Sequence, residues 1–283
     1  MMKPLIIHMD CGPASTEWAK VAGLCQKICP GLNISQGTLT MPDSLTISAY
    51  LYTTLPYWPE GSVFLSLVQK GFTKAASDRA SASLSVAVQM PNGSIILSPN
   101  NGTATVCASL MSEGDLSRLS VYFVDPSRFG GDDYALVRCS ASLAGGLPLE
   151  EIGPKASLED VFFYSLPKAS IQPGIAEGQV FMLLKTFGNL TFTISIDEFE
   201  QTGIQTGDAV HVAFTRNGKV EWEGDTSFQP SFGYVPEGEP VVFNGSSGYM
   251  DIGLNRKSFI EECLPQILTA DDPTEFKVRI EKI

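Results

Sequence analysis

Apolar and polar positions alternate between two rhythms in the first half of the chain. PLIIHMD (residues 4–10) is a short apolar run and predicts a strand. STEWAKVAGLCQKI (15–28) predicts a helix, with Ser15 or Thr16 as N-cap, Glu17 in the first turn and a stop at Pro30-Gly31. GLNISQGTL (31–39) predicts a second strand. DSLTISAYLYTTLPYW (43–58) predicts a second helix, opened by Asp43 and closed before Pro59. SVFLSLV (62–68) is the continuous apolar run that a buried parallel strand requires. SLSVAVQM and SIILSP follow as two strands joined by the turn Pro91-Asn92-Gly93, and residues 132–144 predict a helix that ends at Gly145-Gly146. Strands alternating with helices predict a three-layer α/β domain.

The rhythm changes in the second half. Pro and Gly recur from about residue 150 to 177, which predicts a connection, with the linker itself at 161–177 between domains at 1–160 and 178–283. Beyond it QVFMLLKTFGNLTFTISI, DAVHVAFT, KVEWEGD, EPVVFN, YMDIGLN and EFKVRIEKI have the two-residue period of strands. Arg216-Asn217-Gly218-Lys219 predicts a hairpin turn of the primed type. In the last strand Phe276, Val278 and Ile280 share one face and Lys277, Arg279 and Glu281 the other. This half predicts an all-β barrel or sandwich. A cleft between two domains of different class is the default binding site.

Composition narrows the partners. The 283 residues are 43% hydrophobic, enough for full cores. The net charge of −12 argues against a nucleic-acid backbone or an anionic membrane surface as partner. No run of about 18 apolar residues predicts a membrane span, and the opening residues do not have the form of a secretory signal. Six scattered cysteines without a CxxC pair predict reduced thiols in a cytoplasmic protein. Only two histidines, His8 and His211, exclude a His-rich metal site.

Six stretches taken in order, VAGLCQKICPGLNI, YLYTTLPYWPEGSVFLSLV, MPNGSIILSPNNGTAT, SASLAGGLPLEEIGP, KTFGNLTFTIS and SFGYVPEGEPVVFNGSSGYMDIGLN, resemble the S-adenosylmethionine (SAM) hydroxide adenosyltransferases, or SAM hydrolases, which are related to the fluorinases and chlorinases. The resemblance runs from about residue 5 to the C-terminus. It implies a Rossmann-like α/β domain followed by a β-barrel domain, and a homotrimer that binds its nucleoside between subunits. The reaction it implies is displacement at ribose C5′ of SAM by water or halide, with methionine leaving. No separate cofactor is implied; SAM or adenosine is itself the ligand.

By the same resemblance, Asp10 accepts hydrogen bonds from the two ribose hydroxyls, a task that suits a carboxylate. Its plainer alternative is a helix N-cap. Asn189 reads the adenine edge, and Phe187 is counted with it among the substrate-binding residues. Phe232 stacks on the purine. Ser246 and Ser247 fall where the family holds the methionine carboxylate.

The catalytic positions depart from the pattern. Where the hydrolases have V-D-P-G-V-G and then an arginine, this chain has Gln69 for the aspartate and Lys70 for the proline, and Ala76 or a neighbour stands for the arginine. The turn expected to hold their histidine reads Arg128-Phe129-Gly130-Gly131-Asp132. Gln69 does not match the halogenase tyrosine either. The acid that should face the substrate ammonium is replaced by Leu184-Lys185, and a lysine there repels an ammonium. Gln69, Lys70 and Asp132 are the candidate replacements, with His8, Lys74, Asp125 and Asp133 behind them. Three readings stay open: an adenosyl-transferring enzyme with rearranged catalytic groups, a non-catalytic nucleoside-binding sensor, and a nucleoside-modifying enzyme in which an anion near Lys70 and Lys185 replaces the methionyl part.

Overall fold

The strand β1 (Leu5–Met9) is buried at every position and forms the spine of the first of two compact units, Met1–Tyr164. The computed structural model describes residues 2–38, 43–69, 71, 84–270 and 272–283. Five more strands join β1: β2 (Ile34–Thr38), β3 (Val63–Ser66), β4 (Ser85–Gln89), β5 (Ile95–Pro99) and β6 (Ser120–Phe123). Their order is β2-β1-β3-β5-β4-β6. The pairs β1–β2, β1–β3 and β3–β5 are parallel, whereas β4 is antiparallel to both β5 and β6. The Pro91-Asn92-Gly93 turn sets that reversal, with Asn92 Oδ1 accepting from Ser94 N at 3.1 Å.

Alternation along the strands divides the core. Leu5, Ile7, Leu65 and Leu97 pack with Val21 and Cys25 of α1 (Thr16–Ile28) and with Leu136, Val137 and Ala141 of α4 (Ala135–Ala144). Ile6, Phe64 and Ile96 pack with Ile47 and Leu51 of α2 (Ser44–Thr54) and with Cys107 and Ala108 of α3 (Thr105–Met111). Ser15 caps α1 and Asp43 caps α2, as the sequence predicts. The sequence reading omits α3 and β6. The first is a seven-residue helix without a side-chain cap, and β6 has only four residues.

The second unit, Ser165–Ile283, is built on an eight-stranded, barrel-like antiparallel sheet. Its strands are β7 (Ser170–Gln172), β8 (Ile175–Leu184), β9 (Asn189–Ser195), β10 (Ala209–Arg216), β11 (Lys219–Ser227), β12 (Pro240–Asn244), β13 (Tyr249–Leu254) and β14 (Phe276–Lys282). The order is β11-β10-β14-β8-β9-β13-β12, with β7 on β8. An isolated bridge between Phe228 and Val242 brings the two ends together. The long β8 makes this possible, pairing β14 through its first half and β9 through its second. Phe181, Phe192, Phe214 and Phe276 fill the interior and are fully buried. Asn217 and Gly218 both have positive φ, so the predicted primed turn is present.

Two stretches differ from the sequence reading. Residues 170–177, expected within a connection, contain β7 and the start of β8. QVFMLLKTFGNLTFTISI divides into β8 and β9 at a turn over Lys185–Gly188. Two short helices complete the unit, α5 (Ile196–Glu200) and α6 (Phe259–Glu262).

Candidate functional site

In the α/β unit Asp10 and Gln69 follow the parallel strands β1 and β3, at the edge where such sheets hold ligands. Asp10 follows β1 directly and is exposed. Ser15, not Asp10, caps α1, accepting from Trp18 N at 3.1 Å. The Asp10 carboxylate makes no hydrogen bond or ion pair among the described residues. His8, two residues earlier, does not join it at the surface. Its ring is 1% exposed, meets Tyr50 edge-on at 5.4 Å and crosses Gly37 of β2. Burial pushes its pKa down to about 4, so it is neutral at neutral pH.

The candidate catalytic groups do not form a constellation. Gln69 is exposed beyond β3, and its carbonyl, with that of Val68, accepts from the amide of Asn101. Asn101 and Asn100 of SPNNG are therefore structural; Asn100 also bonds Asp160 O and Phe162 N. Lys70, and with it Lys74, lies outside the described residues. Asp132 is held by Arg138 through two bonds of 2.5 and 2.8 Å and accepts from Tyr134 N at 2.9 Å. The guanidinium pulls its pKa down to about 2. Such a carboxylate is a firm anion and a poor base. Asp125 is engaged likewise, by Ser127 and Arg128. Asp133 is exposed beside Asp132.

In the β unit the remaining candidates surround the β8–β9 turn and the end of β13. Gly188 shapes this turn. Its φ is +72°, and a Cβ on it would lie 2.4 Å from Ser258 Cα. Its carbonyl accepts from Ile260 N at 3.1 Å, fixing the turn against α6. Phe187, one residue before, is 66% exposed. It lines a groove of about 550 Å³ together with Lys185, Phe232, Arg256, Lys257 and Glu261. Phe232 is held edge-on by Phe243 at 5.1 Å and leaves 37% of its surface free. Gly188→Ala is expected to destabilise the protein by about 2 kcal/mol, since it combines a left-handed alanine with a backbone clash. A chemical denaturation series would read this as a lower midpoint at unchanged slope.

Asn189 points away from solvent. It is 4% exposed, and its Oδ1 lies 2.3 Å from where a Cβ on Gly253 would stand. That oxygen has no hydrogen-bond partner among the described residues, nor has the hydroxyl of Ser247, which is 5% exposed. Ser246, by contrast, is exposed. Two residues that the sequence reading passed over belong with them. Thr191 and Asp251 stand opposite each other across β9 and β13, both almost wholly buried. Asp251 Oδ1 lies 2.6 Å from where a Cβ on Gly245 would be, so the carboxyl packs under the Gly245–Gly248 loop. Burial pushes its pKa up to about 7; Thr191 acts weakly the other way, and its hydroxyl is not in bonding geometry. A strand aspartate with polar alternation gave no sign of this burial.

The fold thus defines a mixed α/β unit followed by an antiparallel β-barrel-like unit, each with polar groups that lack partners among the described residues. The sequence matches the SAM hydroxide adenosyltransferase N-terminal domain over residues 5–153 and the C-terminal domain over residues 183–264, and the chain belongs to that family. It is 26% identical to a fluorinase of Actinopolyspora mzabensis over 284 residues, covering 90% of this chain and 92% of that one. It is also 26% identical to an (R)-S-adenosyl-L-methionine hydrolase of Thermus thermophilus over 272 residues, covering 91% and 94%. A solved structure of a conserved Thermotoga maritima protein superposes with a TM-score of 0.73 at 21% identity, over 98% of this chain and 99% of that one. One from Thermus thermophilus gives 0.69 at 25% identity, over 99% and 100%. Among the described residues no helix is long and apolar enough to cross a membrane.

Proposed function

We propose that this protein binds an adenosine-bearing small molecule, SAM or adenosine, in a site completed between subunits of a cytoplasmic homotrimer. The α/β unit is then read as a Rossmann-like, three-layer domain, a reading supported by the separate cores on the two faces of its sheet. The observation that carries the ligand is Asp10, an exposed carboxylate free of partners among the described residues, at the strand end where a ribose diol needs an acceptor. Asn189 supplies the base-reading amide and Phe187 and Phe232 the aromatic surface. Ser246 and Ser247 supply hydroxyl and backbone donors for a carboxylate.

Displacement of methionine from C5′ by water, if this chain performs it, runs without an Asp–Arg–His set. The attacking water must shed its hydration and lie in line with the C5′–S bond, and loss of the sulfonium charge removes the need for a strong base. Gln69 can orient a water by its amide. The binding-only reading has its own support, because Asp132 is committed to Arg138 and the neutral amide of Gln69 cannot act as a general acid or base.

The test is incubation with excess SAM, with adenosine and methionine followed by mass spectrometry, beside calorimetric titration of adenosine. Adenosine binding is expected, weakened tenfold or more by Asp10→Ala, which corresponds to loss of a charge-assisted hydrogen bond. Unchanged affinity in that variant would remove the ribose role. Multiple turnovers would make the protein an enzyme, and binding without product would make it a sensor.

A further inference from the structure

The groove between the β8–β9 turn and the end of β13 has a charge that does not suit a sulfonium. Three cations line it, Lys185, Arg256 and Lys257, against one carboxylate, Glu261, in a chain of net charge −12. Lys185 has no ion-pair partner among the described residues. The partners of the other two lie outside the groove lining: Glu237 stands 3.6 Å from Arg256 and Glu262 stands 3.3 Å from Lys257. The first pair is largely exposed and the second about half exposed, and such solvent-facing pairs contribute little and exchange readily for a stronger anion. A phosphate offers three acceptor oxygens and a double charge, and guanidinium binds it through two parallel bonds.

The backbone aims one of these cations. Arg256 has φ +60°, a conformation that side chains other than glycine and asparagine rarely adopt. Asn255 fixes the turn, donating from its amide to Val235 O at 2.7 Å and from its backbone to Glu239 O at 3.1 Å. Left-handed residues held this firmly concentrate where a side chain has to be presented. Beside the cations stand two exposed rings, Phe187 and Phe232. Rings of this kind cover the face of a heterocycle, at about 1–3 kcal/mol per stacked base.

We propose that this groove takes a nucleoside carrying an anionic group, of the nucleoside 5′-phosphate class, in preference to a cationic sulfonium nucleoside. The proposal rests on the nucleoside-binding reading and goes beyond it by setting the sign of the ligand's charge. Lys185 and Arg256 bind the anion, and Phe187 and Phe232 bind the heterocycle. Neither needs a metal or a covalent step.

Titration calorimetry of the full chain with adenosine, adenosine 5′-monophosphate and SAM, at matched ionic strength, separates the two levels. Adenosine monophosphate is expected to bind at least tenfold more tightly than adenosine, and SAM more weakly than adenosine. The Lys185→Ala/Arg256→Ala double variant is expected to bring adenosine and its monophosphate to equal affinity; a melting curve checks that it folds. If adenosine binds and the phosphate adds nothing, the anion proposal is overturned and the nucleoside reading stands. If a phosphate preference survives in the double variant, the anion lies elsewhere and the groove assignment is wrong. If no nucleoside binds at all, both fall.

Discussion

Asp251→Asn is expected to stabilise the protein at pH 8 by several kcal/mol and to remove a pH dependence that the parent shows. The carboxyl is 2% exposed, with Oδ1 unpartnered among the described residues. Its pKa rises from 3.8 to about 7 because burial disfavours the charged form. Between those values the folded chain holds a proton that the unfolded chain releases. Stability is therefore highest below pH 3.8 as far as this group decides, falls as pH rises through the interval, and levels off above about 7. The slope is about 1.4 kcal/mol per pH unit, and the whole interval amounts to on the order of 4 kcal/mol. Asparagine keeps the shape and cannot ionise, so the variant's denaturation midpoint should no longer fall as pH rises from 5 to 8. Parallel parent and variant curves would show that Asp251 is solvated or paired in solution.

A buried carboxylate of this kind is not visible in YMDIGL. Period-two alternation places Asp251 with Tyr249 and Gly253, opposite Met250 and Ile252, and an aspartate in such a pattern reads as the wet face of a strand. Burial here comes from across the sheet and from the loop above: Thr191 stands opposite in β9, and Gly245 closes over the carboxyl. The groove was hidden for a related reason. Its members come from residues 185–188, 232, 254–258 and 261, and the first and last are brought together by the pairing of β9 with β13 and by the Ile260–Gly188 bond. Lys185 was legible as an oddity; Arg256 and Lys257 were not.

Local signals fared better, because they depend on few neighbours. Ser15 and Asp43 cap their helices, and Asn217-Gly218 makes its turn, as short-range chemistry demands. Asp132 marks the limit of such reasoning. Its place in the glycine-rich turn suggested a substitute base, yet Arg138, six residues on along the next helix, was available to claim it. His8 shows the same limit. Two residues apart, His8 and Asp10 would share a face in a continuous strand, but β1 ends at Met9, so the shared face is lost.

His8 also opposes Asp251 in its response to acid. Its pKa falls from 6.5 to about 4, again through burial. The unfolded chain therefore takes up a proton below pH 6.5 that the folded chain refuses until about pH 4. The stability associated with neutral His8 is complete above 6.5 and is lost as pH falls, by about 3 kcal/mol across the window. Over pH 4–6.5 this slope runs against that of Asp251, and the parent profile should be flatter than either group alone would give. Each single variant should then unmask the other group. His8→Gln is expected to gain stability on acidification from pH 6.5 to 4.5, and Asp251→Asn to lose it. The two groups sit in different compact units, so calorimetric scans in which the units melt separately should show transitions that move in opposite directions with pH. A His8→Gln scan with the parent's acid profile would mean that the ring is protonated without unfolding, and the neutral buried imidazole would have to be given up.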